Sequence, residues 1–373
     1  MTIQEIKAKS ILLKRGKIDS WFVSRYGMNL YRGCTHNCVY CDGRAERYRV
    51  DGIFGENVAV KTNAVEVLRR ELKPIGRRVK LKPGYVMIGG GVGDSYQPVE
   101  EKYQLTRRTL QLLCEYRRPV HILTKSTLVE RDMDIIKRIN QQNRAIVSFS
   151  LSSANAEVSA IFEPHVPSPS ERLKTLAAFK KEGIACGLFF LPVIPFITDT
   201  PEMIVETLRK ARDVGVDFVI FGGMTLKAGR QKDYFNKLLS EKCPELVTRY
   251  EEIYETNEWG QATHAYYNSI NSVFNQTAKM LKLNRRMPPT LYRDILLEND
   301  LVVVMLEQLD YFLRLEGKRS SFGYAAYAIS KLDTPLSALK SRLRTISGVG
   351  EKTEQIILEI LETKRSTYYD SLS

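Results

Sequence analysis

Six strand-length apolar runs alternate with amphipathic stretches over the first two thirds of the chain, and this alternation constrains the fold more than any other feature. The runs cover residues 27–31, 85–88, 120–123, 145–150, 185–191 and 218–221. Between them, Thr109/Leu112/Leu113/Tyr116, Ile135/Ile136/Ile139, Leu173/Leu176/Ala177 and Ile204/Val205/Leu208/Ala211 each place an apolar stripe on one helical face. Repeated β-then-α units predict an α/β fold with a curved or wound parallel sheet, which binds ligands at the C-terminal strand ends. At 373 residues the chain exceeds one typical domain. With 43% hydrophobic and 27% charged residues it is an ordinary folded protein. No apolar run approaches 18 residues, so a membrane span is not expected. Met1-Thr2-Ile3-Gln4-Glu5 lacks the plan of a signal peptide, which makes the cytoplasm the expected compartment.

Three of the six cysteines, Cys34, Cys38 and Cys41, fall within eight residues, and the others are scattered. That is not a disulfide framework. A structural zinc site is one reading, but it would usually need a second Cys/His pair, and none follows. Three thiolates on one loop suit a [4Fe–4S] cluster with one iron left open for a non-protein ligand. Cys114 in a helical stripe and Cys186 in a strand pattern read as small buried hydrophobes.

The segment Cys34-Thr35-His36-Asn37-Cys38-Val39-Tyr40-Cys41 resembles the C-x3-C-x-aromatic-C motif of radical S-adenosylmethionine (SAM) enzymes. The resemblance implies a partial (β/α)6 barrel in which the three cysteines ligate the cluster and SAM holds the open iron. Reduced cluster would cleave SAM to a 5′-deoxyadenosyl radical, with electrons from a donor such as flavodoxin or ferredoxin. Gly89-Gly90-Gly91 resembles the glycine-rich motif that receives the SAM amino group, where a bare backbone allows close approach. Asp94-Ser95-Tyr96-Gln97-Pro98, Thr124-Lys125-Ser126, Glu163-Pro164 with Arg172-Leu173, and Pro192-Val193-Ile194-Pro195 resemble the spore photoproduct lyase branch over residues 25–230. By that likeness Lys125 and Ser150 would bind SAM's carboxylate and ribose, and Tyr40 would lie against the adenine. The branch carries a hydrogen-donating cysteine in a Cys-Thr-Ser-Asp segment; here the matching residues are Gly91-Val92-Gly93-Asp94. A tyrosine or Cys186 would have to replace that thiol, and Tyr96 is the candidate catalytic residue.

Residues 1–236 are expected to form the barrel, 237–290 a helical extension and linker, and 291–373 a small all-α domain. In the last, Leu343-Arg344-Thr345-Ile346-Ser347-Gly348-Val349-Gly350-Glu351-Lys352-Thr353 resembles a helix-hairpin-helix within a domain similar to the lyase domain of DNA polymerase beta. This implies nucleic-acid binding by Gly348, Val349, Gly350, Lys352 and Thr353, through backbone N–H groups at a helix N-terminus. Ile356 stands where the polymerase domain has its Schiff-base lysine, so that catalysis is not implied.

The net charge of +13 indicates anionic partners. Residues 1–150 hold 28 Lys+Arg against 15 Asp+Glu, and residues 151–373 hold 28 of each, so the whole excess lies in the half with the cysteine loop. The expectation is a radical SAM enzyme acting on nucleic acid, DNA favoured, with lesion repair ahead of base modification. A peptide or metabolite substrate, with the helical domain as a protein-binding module, is the rival reading. A non-catalytic cluster protein that binds DNA is a further one.

Overall fold

A computed structural model describes residues 2–73, 81–90, 92–254 and 259–373. Its strands are β1 Thr2–Ile6, β2 Leu12–Asp19, β3 Ser24–Met28, β4 Tyr31–Arg32, β5 Asn57–Lys61, β6 Tyr85–Ile88, β7 Val120–Thr124, β8 Ala145–Ser150, β9 Ala185–Val193 and β10 Phe218–Gly223. Seven of them form one sheet in the order β10-β9-β8-β7-β6-β3-β2. From β3 to β10 every neighbour is parallel, and β2 closes the edge antiparallel to β3. This curled half-barrel has the parallel sheet that the alternation predicts and the partial-barrel form that the resemblance implies. Helices such as Leu105–Glu115, Met133–Gln142, Pro169–Lys181 and Pro201–Val214 make the crossovers.

The first parallel strand is displaced from the expected residues 27–31. It begins on two buried polar residues, Ser24 and Arg25, and ends at Met28. Tyr31 leaves for a separate sheet, in the order β1-β5-β4. Arg25 is paired with Asp300 of the C-terminal helices, which is how a strand position tolerates it.

Alternate residues of the sheet enter two cores, as the period of two requires. Val86, Ile122, Val147, Leu188 and Val219 pack beneath the crossover helices. Tyr85, Ile146, Phe189, Phe218 and Ile220 face the concave side and join a second core with Met287, Tyr292 and the helix Glu298–Leu315. Most of these lie near the N-terminal ends of their strands, so the helix fills the base of the half-barrel and leaves the C-terminal ends for the site. Beyond it the chain is helical, as expected: Phe322–Ile329, 3-10 turns at Leu336–Thr345 broken at Arg342, Glu351–Thr363 and Thr367–Leu372.

Candidate active site

The cysteine loop follows β4, and side chains from several segments fix its backbone. Gln97 accepts from the Thr35 amide at 3.1 Å and donates to the Gly33 carbonyl at 3.0 Å. The Arg44 guanidinium donates to the carbonyls of Cys38 and Asn37, each at 3.2 Å. Gln231, beyond β10, donates to the Tyr40 carbonyl at 2.9 Å, and the Val39 amide donates to the Phe162 carbonyl at 2.9 Å. His36 has its Nδ1 3.0 Å from the His165 carbonyl and its Nε2 3.3 Å from Asp94 Oδ2. Asp94 also accepts from the Tyr96 amide, the Thr124 hydroxyl and the Lys125 amide at 2.7–2.8 Å. Burial alone would raise its carboxyl; His36 and the two amides hold it below the ordinary carboxylate range.

Cys34 and Cys38 are buried and Cys41 is half-buried. Burial pushes the Cys38 thiol up to about 12 and the Cys34 thiol well above its usual value, with Asp94 and the other two cysteines adding to the latter. Thiolates therefore require a compensating positive centre here, which cluster iron would supply. Among the described residues no three His, Cys, Asp or Glu side chains close to the dimensions of a single-ion site. A [4Fe–4S] cluster asks for something different, one thiolate on each of three irons.

Three of the residues expected at SAM come together. Lys125, just after β7, donates through Nζ to Ser150 Oγ at 2.7 Å and to Glu163 Oε1 at 3.1 Å. Its ammonium lies 5.6 Å from the centre of the Tyr40 ring, and the Tyr40 hydroxyl donates to Glu163. Arg172 holds Glu163 from the far side at 2.5 Å and also donates to Ser159 Oγ and the Ser150 carbonyl, each at 2.9 Å. Burial would raise the Glu163 carboxyl, but Arg172 and Lys125 outweigh it and hold the group well below its usual range. Two cations face one carboxylate, so the group carries one positive charge in excess. The sequence marks Glu163 and Arg172 only as parts of a motif. Their nine-residue separation fits no helical period, so their pairing had no signal in the text.

Gly89 ends β6 with φ +85°, and a Cβ there would lie 2.3 Å from the Leu123 carbonyl oxygen; at Gly90 it would meet the Met87 side chain at 2.7 Å. Gly91 lies outside the described residues. The Tyr96 amide shares Asp94 with the Lys125 amide, while its buried hydroxyl donates to Asp132 at 3.1 Å, within a network of Asp132, Arg131, Arg107 and Glu100. Cys186 points its thiol at the Leu176 and Ile184 carbonyls in the outer core, and Cys114 is also buried there.

In the C-terminal helices, Gly348 takes φ +83° against Ala325 and Tyr324, while Gly350 begins the helix Glu351–Thr363 with open space around its Cα. Val349 and Thr353 are buried. The Lys352 ammonium lies 3.7 Å from the centre of the Tyr368 ring.

Comparison with known proteins bears on this site. The family model of the radical SAM superfamily matches residues 28–201. An uncharacterized protein of Mycobacterium tuberculosis is 34% identical over 258 residues, 68% of this chain and 74% of that one. One from Methanocaldococcus jannaschii is 30% identical over 223 residues, 60% and 78% of the two chains. Among solved structures, spore photoproduct lyase complexed with dinucleoside spore photoproduct superposes with a TM-score of 0.54 at 14% identity, over 75% of this chain and 79% of that one. A mutant of that lyase with bound AdoMet and the dinucleoside gives 0.54 at 15% identity, over 71% and 77%. At such identities the likeness is one of fold.

Proposed function

This chain belongs to the radical SAM superfamily, and from that premise we propose that it acts on nucleic acid, DNA first, with a pyrimidine photoproduct-like lesion as the leading substrate. Bound together, the [4Fe–4S] cluster and SAM supply reductive cleavage of the sulfonium to a 5′-deoxyadenosyl radical. The chain's own residues bind and orient. Cys34, Cys38 and Cys41 would hold the cluster, and the Gly89–Gly90 backbone would receive the SAM ammonium. Lys125 and Ser150 would take its carboxylate and ribose, with Tyr40 against the adenine. The observation that carries this reading is the excess positive charge at Lys125, fixed by Glu163 and Arg172 beside the cysteine loop. It is a point charge suited to one carboxylate.

For the substrate, the support is the basic excess confined to residues 1–150, together with the likeness in fold to a lyase solved with a dinucleoside photoproduct. A base inside a duplex is out of reach of a barrel end, so the target must be flipped out or single-stranded. Backbone N–H groups at the Gly348–Gly350 turn would hold phosphates without reading sequence. A flavodoxin- or ferredoxin-type donor would reduce the cluster. Radical modification of an intact base in DNA or RNA is the second reading. It is favoured by the hydrogen bonds that engage both candidate hydrogen donors, the Cys186 thiol with the Leu176 carbonyl and the Tyr96 hydroxyl with Asp132.

The test is anaerobic incubation of reconstituted protein with dithionite, SAM and, in parallel, ultraviolet-irradiated DNA, undamaged DNA and tRNA. Mass spectrometry of the digested nucleosides follows. Loss of a photoproduct supports repair, and a new nucleoside in undamaged DNA or tRNA supports modification. 5′-Deoxyadenosine with every nucleic acid unchanged would move the substrate to a peptide or metabolite.

A further inference from the structure

Trp21, in the turn between β2 and β3, is 40% exposed, while the neighbouring Val23 is buried and Phe22 stacks on Phe189 at 5.3 Å. Its indole reaches the C-terminal end of β10. A Cβ at Gly222 would lie 3.5 Å from the indole and 3.7 Å from Leu191 Cβ. The Leu191 carbonyl accepts from the Ser150 hydroxyl at 2.9 Å, so Gly222 and Leu191 stand between the ring and the Lys125–Ser150 pair.

Against the indole lies Arg286, 3% exposed. Its guanidinium carbon is 4.8 Å from the centre of the Trp21 ring and 3.3 Å from that of Tyr311. It donates to the Arg285 carbonyl at 3.2 Å, and no carboxylate pairs with it among the described residues. A buried charge without a counter-ion is costly and calls for an anion. The carboxylates nearby are already engaged: Asp310 holds Arg314 at 2.9 Å, and Glu307 pairs with Lys17. A cleft of about 260 Å³ opens here, lined by Ser20, Trp21, Arg286, Asp310, Tyr311 and Gly323 among others. It offers one flat aromatic surface and one uncompensated cation.

We propose that this cleft is a nucleotide subsite, in which Trp21 stacks one base of a nucleic-acid strand and Arg286 neutralises the adjoining phosphodiester. The subsite rests on the nucleic-acid reading above and extends it beyond the cluster loop. Base–aromatic stacking of this kind tolerates any base, because every base presents a π-face. Gly323, on the cleft wall, belongs to the helix that presents exposed Tyr324 beside the Gly348 turn, so a strand leaving the cleft has a path toward the hairpin.

The chain has two tryptophans, Trp21 and Trp259, so Trp259→Phe leaves Trp21 as sole reporter. Cluster-loaded Trp259→Phe protein is titrated with thymidylyl-thymidine and with thymidine while indole fluorescence is followed. The expected result is a saturable change with the dinucleotide, at least tenfold weaker binding of thymidine, and an at least tenfold loss of dinucleotide affinity in Arg286→Met. Equal affinity for the two probes, or no loss in a folded Arg286→Met protein, overturns the subsite. Trp21→Ala alters an exposed ring and keeps the test open where Arg286→Met fails to fold. Its affinity for a labelled single-stranded oligonucleotide, read by anisotropy, should fall at least fivefold, and unchanged affinity again overturns the subsite. Oligonucleotide binding without any Trp21 response sinks the subsite and leaves the nucleic-acid reading standing. No oligonucleotide binding at all sinks both.

Discussion

Glu163 and Arg172 face each other at 2.5 Å with both side chains withdrawn from solvent, and this pair sets the charge of the candidate SAM site. Among the described residues Arg172 has three acceptors, of which Glu163 is the charged one. Removing Glu163 leaves Arg172 buried without a charged partner, which typically costs about 3–5 kcal/mol, whereas removing Arg172 leaves Glu163 still paired with Lys125 at 3.1 Å. Glu163→Ala should lower unfolding stability by about that much, and Arg172→Ala by less, because Lys125 still faces the carboxylate. The double variant Glu163→Leu/Arg172→Met should cost much less than the sum, and denaturant titration of the four proteins checks this.

The same pair sets a dependence on acid. The Glu163 carboxyl is depressed in the folded chain, so the unfolded chain takes up its proton first as pH falls. Its stabilisation is fully present above the unfolded carboxylate value of about 4.3 and is lost as pH drops through the lower folded value. Between pH 5 and pH 2.5, Glu163→Gln should therefore show a shallower decline in unfolding free energy than the wild type. Parallel curves for the two proteins would remove Glu163 from the account.

Lys125 and Ser150 should separate in their effects on SAM. A charge-assisted contact is worth roughly twice a neutral one. Lys125→Met should weaken SAM binding to cluster-loaded protein by about 10–100-fold, and Ser150→Ala by about tenfold or less. Equilibrium dialysis with labelled SAM reads both without turnover. Lys125→Arg should recover only part of the loss, because a planar fork replaces a point charge. A similar loss from Ser150→Ala as from Lys125→Met would move the carboxylate elsewhere.

The barrel was legible because its strands are apolar runs and its crossover helices carry clean stripes. Residues 145–150 match β8 exactly as expected from Ala145 to Ser150. Strands that follow another logic were hidden. β1 and β2 are largely exposed, half of β2 is charged, and β3 opens on Ser24 and Arg25, the latter paired with a residue 275 positions away, Asp300. The cysteine loop could be read because its ligands are local, eight residues from first to last. The group at Lys125 is assembled from the loop, two strand ends and a helix. Composition and spacing could place Lys125 and Ser150 at strand ends, but the carboxylate that fixes them is a tertiary fact. Cleft residues such as Trp21 and Arg286 are invisible for the same reason.

The two hairpin glycines should respond oppositely to alanine. Gly348 sits at φ +83°, and a Cβ there would approach the Ala325 amide nitrogen to 2.8 Å. Backbone strain of this kind costs about 1–3 kcal/mol, before the clash is counted. Gly348→Ala should therefore lower the denaturation midpoint clearly. Gly350 has an ordinary φ of −94° and open space around it, so Gly350→Ala should cost about 1 kcal/mol or less. Its new methyl group would stand beside the first N–H groups of the helix Glu351–Thr363, where the phosphate is proposed to bind. Affinity for DNA should then fall several-fold in a protein that stays folded, measured by anisotropy at fixed salt. Unchanged affinity in Gly350→Ala, with the fold intact, would take the hairpin out of DNA binding and leave that role to the basic first half of the chain.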